Sequence, residues 1–528
     1  MVARIPLIVN SSAEQIQELP SGDSISIPGD LDVTGSITGN ALYGLKLTAD
    51  GTIAANGAVV LTSAGKAKAI STVAESFGSP GTWFTNGGGV EVKAINFIHW
   101  DNSQNAAIVN WTDGNDARRI SIGTLSGTTM TWASPSTAGD FGSVLTHAIA
   151  TNGEGGGIVV YKLSATGDLL YKTFTLSGST MTLGNAVTIS AYHVDNNDSP
   201  ERQFIEYLEK EGSSHYFAFS YRYGDDGANG MKAKMRIIKW DGQNNVTLGE
   251  EVAYENATAT STSDRAAIWP RLIALENSRY LLYDRSGYKV CTRVGTDFRI
   301  SNTTNTLLGA TPEGGKAPVY DPRTKTLLTV NQGVSPAGVV IYSIDGERID
   351  YRFQTDLPEN TNNGHIEMTD KGEILYSYFD GSTGANAKRL IGTFNDTRDY
   401  VTWSSPSSWA SNADNMGNQP RIVKANDGKV VKVYFTGSAG SRDGKSVVVQ
   451  TPSTTLTEDN FLGFSAAGYS DGNTATISVL GSKSTQSGLT IGKKYYVQDD
   501  GTIGIGKSSF GVVAGKALSA TKLLITPV

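Results

Sequence analysis

The chain has 528 residues and a formal net charge of −7; 18% of its residues are charged and 39% are hydrophobic. This length predicts more than one domain, and an acidic balance without a block of like charges argues against nucleic acid as a partner. No apolar run reaches membrane-spanning length, so we expect no membrane partner. With 60 glycines and many polar turns, the composition favours an all-β protein built from short strands.

The N-terminal region, residues 1–61, lacks the apolar segment and cleavage site of a signal peptide. We therefore expect synthesis in a cytoplasm without standard export. Leu31, Val33 and Ile37 alternate with polar residues and glycines within this region. Because one short strand of this kind cannot bury its apolar face alone, we predict a β stem in which three copies associate, which makes the protein a homotrimer.

Two nearly identical phrases, LSGTTMT at 125–131 and LSGSTMT at 176–182, lie 51 residues apart and indicate a repeat. Seven such units follow one another between residues 75 and 455, each with four strands joined by turns rich in Gly, Asn and Asp. This pattern predicts a seven-bladed β-propeller over residues 62–460. The alternative is a β-solenoid, whose repeats are shorter and whose turns are more uniform.

The seventh unit lacks a convincing outer strand of its own, because Pro452 and a stretch poor in apolar residues follow its third strand. A propeller with an unpaired edge would invite aggregation. Residues 67–74 alternate in character and precede the first unit. We therefore predict that 67–74 pair with 445–450 and close the ring, with 452–462 as the alternative outer strand.

Residues 461–528 predict a small C-terminal β-domain that adds no catalytic group. Its alternating segments are joined by the Asp471-Gly472 and Asp500-Gly501 turns. The single cysteine, Cys291 in YKVCTRV, is predicted to be a buried strand residue. A lone cysteine permits no internal disulfide.

Three segments resemble proteins of tailed bacteriophages. The phrase GDLDVTGSITG at 29–39 resembles the N-terminal stems of tail fibres, and the repeat over 75–455 is similar to one found in phage sequences. The most specific resemblance is to the C-terminal β-domains of tail and fibre proteins, through FLGFS, QSGLTIGKKYYVQDDG and AGKALSATKLLI. The resemblance implies a virion protein, a tail fibre or receptor-binding appendage, whose N-terminal region contacts other tail, baseplate or head proteins.

No catalytic or metal-binding motif is visible in the sequence. The five histidines include no pair at metal-ligand spacing, and neither a Gly-x-Ser-x-Gly nucleophile motif nor a phosphate-binding Walker loop occurs. Acids on predicted loops are interpreted as turn residues: Asp113, Asp116, Asp225, Asp226, Asp380 and Asp443. We therefore expect no enzymatic activity, no metal and no cofactor.

The sequence favours binding of a bacterial surface glycan through one face of the propeller. The third unit has the longest loop between its second and third strands, and a second aromatic-bearing loop follows the sixth unit. Aromatic rings can stack on sugars, while Arg and Asp can bond hydroxyl groups. The candidate residues, predicted to be exposed, are Tyr221, Arg222, Tyr223, Asp225, Asp226 and Trp409. A purely structural appendage and a polysaccharide-degrading enzyme remain as alternatives.

Overall fold

The fold is known from a computed structural model, which describes part of the chain. The described residues are 6–10, 15–18, 44–86, 90–134, 144–163, 166–190, 203–223, 231–243, 245–259, 271–276, 278–284, 287–301, 318–331, 337–359, 361–369, 371–380, 387–395, 397–410, 421–437, 440–457, 459–508 and 510–526. Every regular element among them is a β-strand, which confirms the all-β prediction. No helix among these residues is long and apolar enough to cross a membrane.

The strands are numbered in chain order. Those that precede the repeats are β1 (Pro6–Asn10), β2 (Gln15–Glu18), β3 (Leu45–Thr48), β4 (Ala58–Leu61), β5 (Ala67–Ala69), β6 (Thr72–Val73), β7 (Ser76–Phe77) and β8 (Gly81–Phe84). Those of the first three repeats are β9 (Val92–Asp101), β10 (Ala106–Asp113), β11 (Arg118–Ser126), β12 (Thr129–Trp132), β13 (Val144–Thr151), β14 (Gly156–Leu163), β15 (Leu169–Ser177), β16 (Thr180–Leu183), β17 (Val187–Ser190), β18 (Gln203–Glu211), β19 (Ser214–Tyr223), β20 (Met231–Trp240), β21 (Val246–Leu248) and β22 (Val252–Ala259).

The later strands complete the repeats and the C-terminal region. Those of the remaining repeats are β23 (Arg271–Ala274), β24 (Arg279–Asp284), β25 (Gly287–Val294), β26 (Asp297–Ile300), β27 (Val319–Asp321), β28 (Thr326–Asn331), β29 (Gly338–Asp345), β30 (Arg348–Asp356), β31 (Thr361–Met368), β32 (Ile374–Asp380), β33 (Ala387–Phe394), β34 (Val401–Trp403), β35 (Ser407–Ala410), β36 (Arg421–Lys424), β37 (Lys429–Thr436) and β38 (Asp443–Gln450). The C-terminal strands are β39 (Ser453–Thr454), β40 (Phe461–Ser465), β41 (Thr474–Ser478), β42 (Lys483–Thr485), β43 (Lys494–Val497), β44 (Ile503–Gly504), β45 (Val513–Ser519) and β46 (Lys522–Leu524).

The described residues divide into two units by their internal contacts. Unit 1 comprises residues 1–69, 459–496 and 513–528, and unit 2 comprises 70–458 and 497–512. In unit 1, β3, β41, β40, β4 and β5 form one antiparallel sheet, so N-terminal and C-terminal strands share a core around Val59 and Ile477. The predicted boundaries 1–61, 62–460 and 461–528 differ from these two units, because β3 pairs with β41 and β4 pairs with β40. The predicted stem phrase at 29–39 lies outside the described residues, so the stem and the trimer stay predictions.

Unit 2 contains successive antiparallel sheets in which neighbouring strands follow one another along the chain. Six sheets start at β9, β13, β18, β23, β27 and β31, and β17, β22 and β35 add to three of them. The next sheet has the order β36, β37, β38 and β7, and β8 also pairs with β38. The first strand of each sheet contacts the first strand of the next, and β36 contacts β9, so the series closes into a ring.

Apolar side chains fill the space between each pair of neighbouring sheets. Middle strands such as β10, whose eight residues are all buried, pack against a sheet on both faces, which explains their nearly continuous apolar sequences. Ile108 of the first sheet meets Val159 of the second in one such core, and Trp111 meets Val433 across the junction of the last sheet with the first. The junction that closes the ring is therefore packed like the others.

The repeated LSG phrase forms the hairpin between the third and fourth strands of a sheet. Gly127 and Gly178 have φ values of 58° and 57°, which favour glycine. The flanking residues pair alike in the two copies, Leu125 with Met130 and Leu176 with Met181. The repeated phrase in the sequence therefore corresponds to a repeated turn in the structure.

The ring is closed by a strand from before the first repeat, but the predicted segment is wrong. Residues 67–69 pair with β4, and β6 pairs with β39. The outer partner of β38 is instead residues 76–84, with Phe77 opposite Val449 and Gly81 opposite Ser446. The physical reason is Trp83, which is 2% exposed and fills the space beside Gly444, whereas residues 67–74 include no aromatic side chain.

Candidate functional site

The binding residues predicted from the sequence do not form one exposed surface. Tyr221 is completely buried on β19, its ring stacks on Phe219 with centroids 5.1 Å apart, and its hydroxyl donates to Glu251. Trp409 is 3% exposed and lies on β35. The prediction of exposed aromatic rings is wrong at both positions, because strands extend further than expected and the rings pack between sheets.

The other predicted site residues provide no test of the loop surface. Arg222 and Tyr223 end β19, and the placement of their side chains is not described. Asp225 and Asp226 lie outside the described residues, together with much of the loop face predicted to bind glycans. Whether these residues bind a ligand stays a prediction.

Some predicted turn acids do have structural roles. Asp113 is fully buried, accepts hydrogen bonds from the amides of Asn115 and Ala117, and pairs with Arg119 Nε at 2.6 Å. Asp443 accepts the amide of Asn86 at 2.7 Å. Cys291 is buried as predicted, and burial raises the pKa of its thiol.

A cavity of about 500 Å³ lies in the middle of the ring. It is lined mainly by first strands, which are β9, β18, β31 and β36, and by the turn after β13 at residues 151–153. Because side chains alternate along a strand, residues two apart point the same way. The lining repeats this spacing in Phe97 and His99, Phe204 and Glu206, and His365 and Glu367.

The cavity has an aromatic wall. The rings of Phe97 and Phe204 meet edge to face, with centroids 5.8 Å apart. Tyr207 and Trp100 also line the cavity. Aromatic rings of this kind offer an apolar contact to a flat ligand at low entropic cost, although Phe97 and Phe204 are only 9% and 7% exposed.

Titratable groups stand beside this aromatic wall. Burial raises the pKa of Glu367 to about 7, against a smaller lowering by the Met368 amide and by Lys424. Glu367 is half-buried and lines the cavity. Burial also lowers the pKa of His99 to about 4, so that its imidazole is neutral at pH 7. The cavity therefore holds a carboxyl that both donates and accepts protons near neutrality.

Neighbouring first strands are tied together at the cavity by side chains that line it. His365 Nδ1 accepts the amide of Ile422 at 3.1 Å, which leaves its proton on Nε2. Arg421 Nε donates to the carbonyl of Asn96 at 3.1 Å. These bonds connect the sixth sheet to the seventh and the seventh to the first, so the lining is held in place.

The rim of the cavity carries a further polar group of residues. Lys210 Nζ lies 2.6 Å from Glu154, and His215 lies 3.9 Å from the same carboxylate. The Asn152 amide is 3.4 Å from the His215 ring, and the Tyr207 hydroxyl is 3.5 Å from His215 Nδ1. Burial raises the pKa of Tyr207 to about 12, so its hydroxyl stays protonated and can donate.

Sequence reasoning missed this cavity, although a signal was present. The phrases FIH at 97–99, FIE at 204–206 and HIE at 365–367 occur in first strands of three repeats. A polar residue therefore recurs at the third position of each phrase. Among the residues that the structure describes, no group of three or more His, Cys, Asp or Glu could hold a metal ion.

Comparisons with known proteins add distant structural likenesses. No family model and no curated protein matches this chain. A candidate 6-phosphogluconolactonase from Bacteroides fragilis is 9% identical and aligns over 72% of this chain and 98% of its own, with a TM-score of 0.39. The WD40 domain of SCAP from fission yeast is 10% identical over 71% of this chain and 90% of its own, with a TM-score of 0.38.

A third likeness is to Trypanosoma rangeli sialidase in complex with sialic acid. It is 11% identical over 69% of this chain and 59% of its own, with a TM-score of 0.35. None of the three is described as a phage fibre. At these TM-scores the likenesses carry no argument about function, and because two of the three descriptions name enzymes, they give no support to the expectation that the chain has no enzymatic activity.

Proposed function

We propose that unit 2 is a seven-bladed β-propeller whose central cavity binds a small saccharide. The fold proposal is supported by the closed series of contacts from β9 through β36 and back to β9. It is also supported by apolar cores at the junctions between sheets, including the junction of the last sheet with the first. Each sheet then corresponds to one blade, and β7 and β8 complete the seventh.

One observation carries the binding proposal: a single cavity combines aromatic faces with hydrogen-bonding side chains. Its volume of about 500 Å³ falls within the range of small-molecule sites, roughly 300–1,000 Å³, and suits one or two sugar rings. The Phe97 and Phe204 rings would contact the apolar face of a sugar. Glu206, Glu367 and the histidines would bond its hydroxyl groups, as donors or acceptors.

The biological role that we propose is that of a tailed-phage fibre or appendage that binds a glycan on the bacterial surface. The support is the resemblance of residues 29–39 and 461–528 to phage fibre segments. Mass spectrometry of purified virions would test this part of the proposal separately. Absence of the chain from virions would contradict the appendage role without affecting the binding proposal.

A polysaccharide-degrading enzyme is the second candidate function. Glu206 and Glu367 both line the cavity, and a carboxyl whose pKa is about 7 can act as a general acid. Release of reducing ends from a bound polysaccharide would favour the enzyme, whereas binding without cleavage favours the receptor-binding protein. If the protein neither cleaved nor bound a polysaccharide, a purely structural appendage would be the remaining function.

A glycan array followed by calorimetry tests the binding proposal. Glu206→Gln and Phe204→Leu should each weaken binding of the array-selected saccharide about tenfold, because one removes a charged hydrogen-bond partner and the other an aromatic face. Glu211→Gln is the matched control, since Glu211 lies on the same strand with a side chain that is 67% exposed. Equal affinities for all four proteins would overturn the assignment of the site.

A further inference from the structure

A second concave site, separate from the central cavity, lies in unit 2. It is a cleft of about 770 Å³ whose lining comes from four parts of the chain, one of which is Thr72 alone. The turn at 371–373 and the segment 393–398 belong to the sixth sheet and its hairpin, and residues 498–511 form the opposite wall. The lining is mostly polar, with Phe394 and Phe510 as its aromatic members.

Arg398 is held in this cleft by a loop with internal hydrogen bonds. Its φ of 54° is unusual for a residue with a side chain, and its amide donates to the carbonyl of Asn395 at 2.9 Å. The Asn395 side chain in turn accepts the amide of Asp399 at 3.0 Å. The Arg398 guanidinium lies over the Phe394 ring at 4.1 Å, which fixes the plane of the cation.

The charge of Arg398 is only partly compensated. Its nearest carboxylate oxygen, Asp321 Oδ2, is 3.8 Å from Nη2, which is too long for a hydrogen bond. Asp321 already accepts Arg323 Nε at 3.1 Å and the Thr324 hydroxyl at 2.8 Å. Arg398 Nε and Nη2 are buried and make no hydrogen bond to any residue that the structure describes. One carboxylate therefore serves two guanidinium groups.

The two lysines of the cleft also differ in how far their charge is compensated. Lys371 is paired with Asp499 at 3.2 Å, so its charge is compensated. Lys507 is exposed on the opposite wall and has no ion pair with the described part of the chain. Arg398 and Lys507 are thus the cations that remain for an anionic ligand.

The rest of the lining suits hydroxyl groups. Glu373, Asp500, Thr393 and Gln498 offer carboxyl, hydroxyl and amide groups around the cleft. Asp500 is fixed by the amide of Thr502 at 2.9 Å and the Thr502 hydroxyl at 2.6 Å. A ligand with one anionic group and several hydroxyls would satisfy both kinds of partner.

We propose that this cleft binds a sugar that carries a carboxylate. Arg398 and Lys507 would contact the carboxylate from the two walls, and the polar residues of the lining would contact the ring hydroxyls. The guanidinium of Arg398 and the ammonium of Lys507 supply positive charge on both walls of the cleft, which a carboxylate requires. The proposal stands independently of the central cavity, since the two sites share no residue.

Titration of the full chain with sodium glucuronate, followed by saturation-transfer NMR and calorimetry, tests the proposal. Arg398→Asn should weaken binding about tenfold or more, because it removes a charged hydrogen-bond donor, and asparagine tolerates the positive φ so the loop can keep its shape. Lys507→Gln should weaken binding about threefold and reduce its dependence on salt. Arg348→Asn is the matched control, since the Arg348 side chain is 76% exposed and pairs with Asp350 on its own strand.

Glucose and inorganic phosphate identify the ligand chemistry. Glucuronate should bind more tightly than glucose, and phosphate should bind more weakly than glucuronate. Equal binding of glucose and glucuronate, tighter binding of phosphate, or unchanged affinity in both cleft variants would overturn the proposal. Because Lys507 is exposed, Lys507→Gln should leave the fold intact, and its affinity for glucuronate tests the proposal even if Arg398→Asn lowers the melting temperature.

Discussion

Trp83 provides the clearest test of how the ring closes. Its indole is 2% exposed on β8, lies edge to face with Trp111 at 5.3 Å, and donates from Nε1 to the carbonyl of Lys445 at 2.8 Å. Trp83→Ala removes this packing, which costs about 3–5 kcal/mol, and leaves a carbonyl without its donor, which adds about 1 kcal/mol.

The expected change in melting temperature follows from the size of unit 2. An unfolding entropy of about 2.1 cal/mol/K per residue over roughly 400 residues converts this loss to a decrease of about 5–7 °C. Far-UV circular dichroism would follow the melting. Val294→Ala is the control, because Val294 is 61% exposed and its truncation should change the melting temperature by less than about 1 °C.

A double-mutant cycle with Gly444 separates closure from a general loss of packing. A Cβ at Gly444 would lie 2.4 Å from the Trp83 ring, so Gly444→Ala should destabilise the parent by about 1–3 kcal/mol. In the Trp83→Ala protein the same change should cost much less, because the ring is gone. An equal cost in both proteins, or a Trp83→Ala protein that melts with the parent, would refute pairing of residues 81–84 with β38.

Three further predictions concern charge and turn geometry. The folded pKa of Glu367 is raised to about 7 from 4.5, so its stabilising contribution is complete below pH 4.5 and is lost as the pH rises through 7. In thermal melts Glu367→Gln should therefore be as stable as the parent at pH 4 and more stable by about 1–3 kcal/mol at pH 8.5. A difference in stability that does not change with pH would contradict this prediction. Lys432 is fully buried and burial depresses its pKa, so the folded state binds fewer protons and loses stability at low pH. Lys432→Met should therefore stabilise by about 1 kcal/mol or more in denaturant melts, with a larger gain at pH 5 than at pH 9.5. A loss of stability would contradict this prediction and would show that the contact of Lys432 with the Trp409 ring at 4.6 Å outweighs desolvation. Gly127→Ala and Gly178→Ala should each cost about 1 kcal/mol by circular dichroism, because both have positive φ in open space, and unequal costs would argue against equivalent turns.

The sequence predicted those features of the fold that depend on local chemistry. The LSG turns at 125–127 and 176–178 are visible because positive φ requires glycine, and buried middle strands such as β10 are visible as apolar runs. Side-chain character alternates along residues 67–74, which predicts a strand there, but alternation does not specify the strand with which it pairs. The volume beside Gly444 selects Trp83, and that volume exists only in the folded ring.

The candidate site was less accessible to sequence reasoning. Tyr221 and Trp409 were assigned to exposed loops because strand ends are poorly defined by composition, whereas both rings pack between sheets. The cavity brings together His99, Glu206 and Glu367 from strands more than a hundred residues apart in sequence. Each polar residue is unremarkable within its own strand, and only closure of the ring places them around one volume.

A structure of the protein bound to its array-selected saccharide would show directly whether the central cavity binds a sugar. The account predicts a sugar ring in the central cavity, in contact with the Phe97 and Phe204 rings and within hydrogen-bond distance of Glu367 or Glu206. A saccharide bound on the outer loops with the central cavity empty of sugar would contradict it.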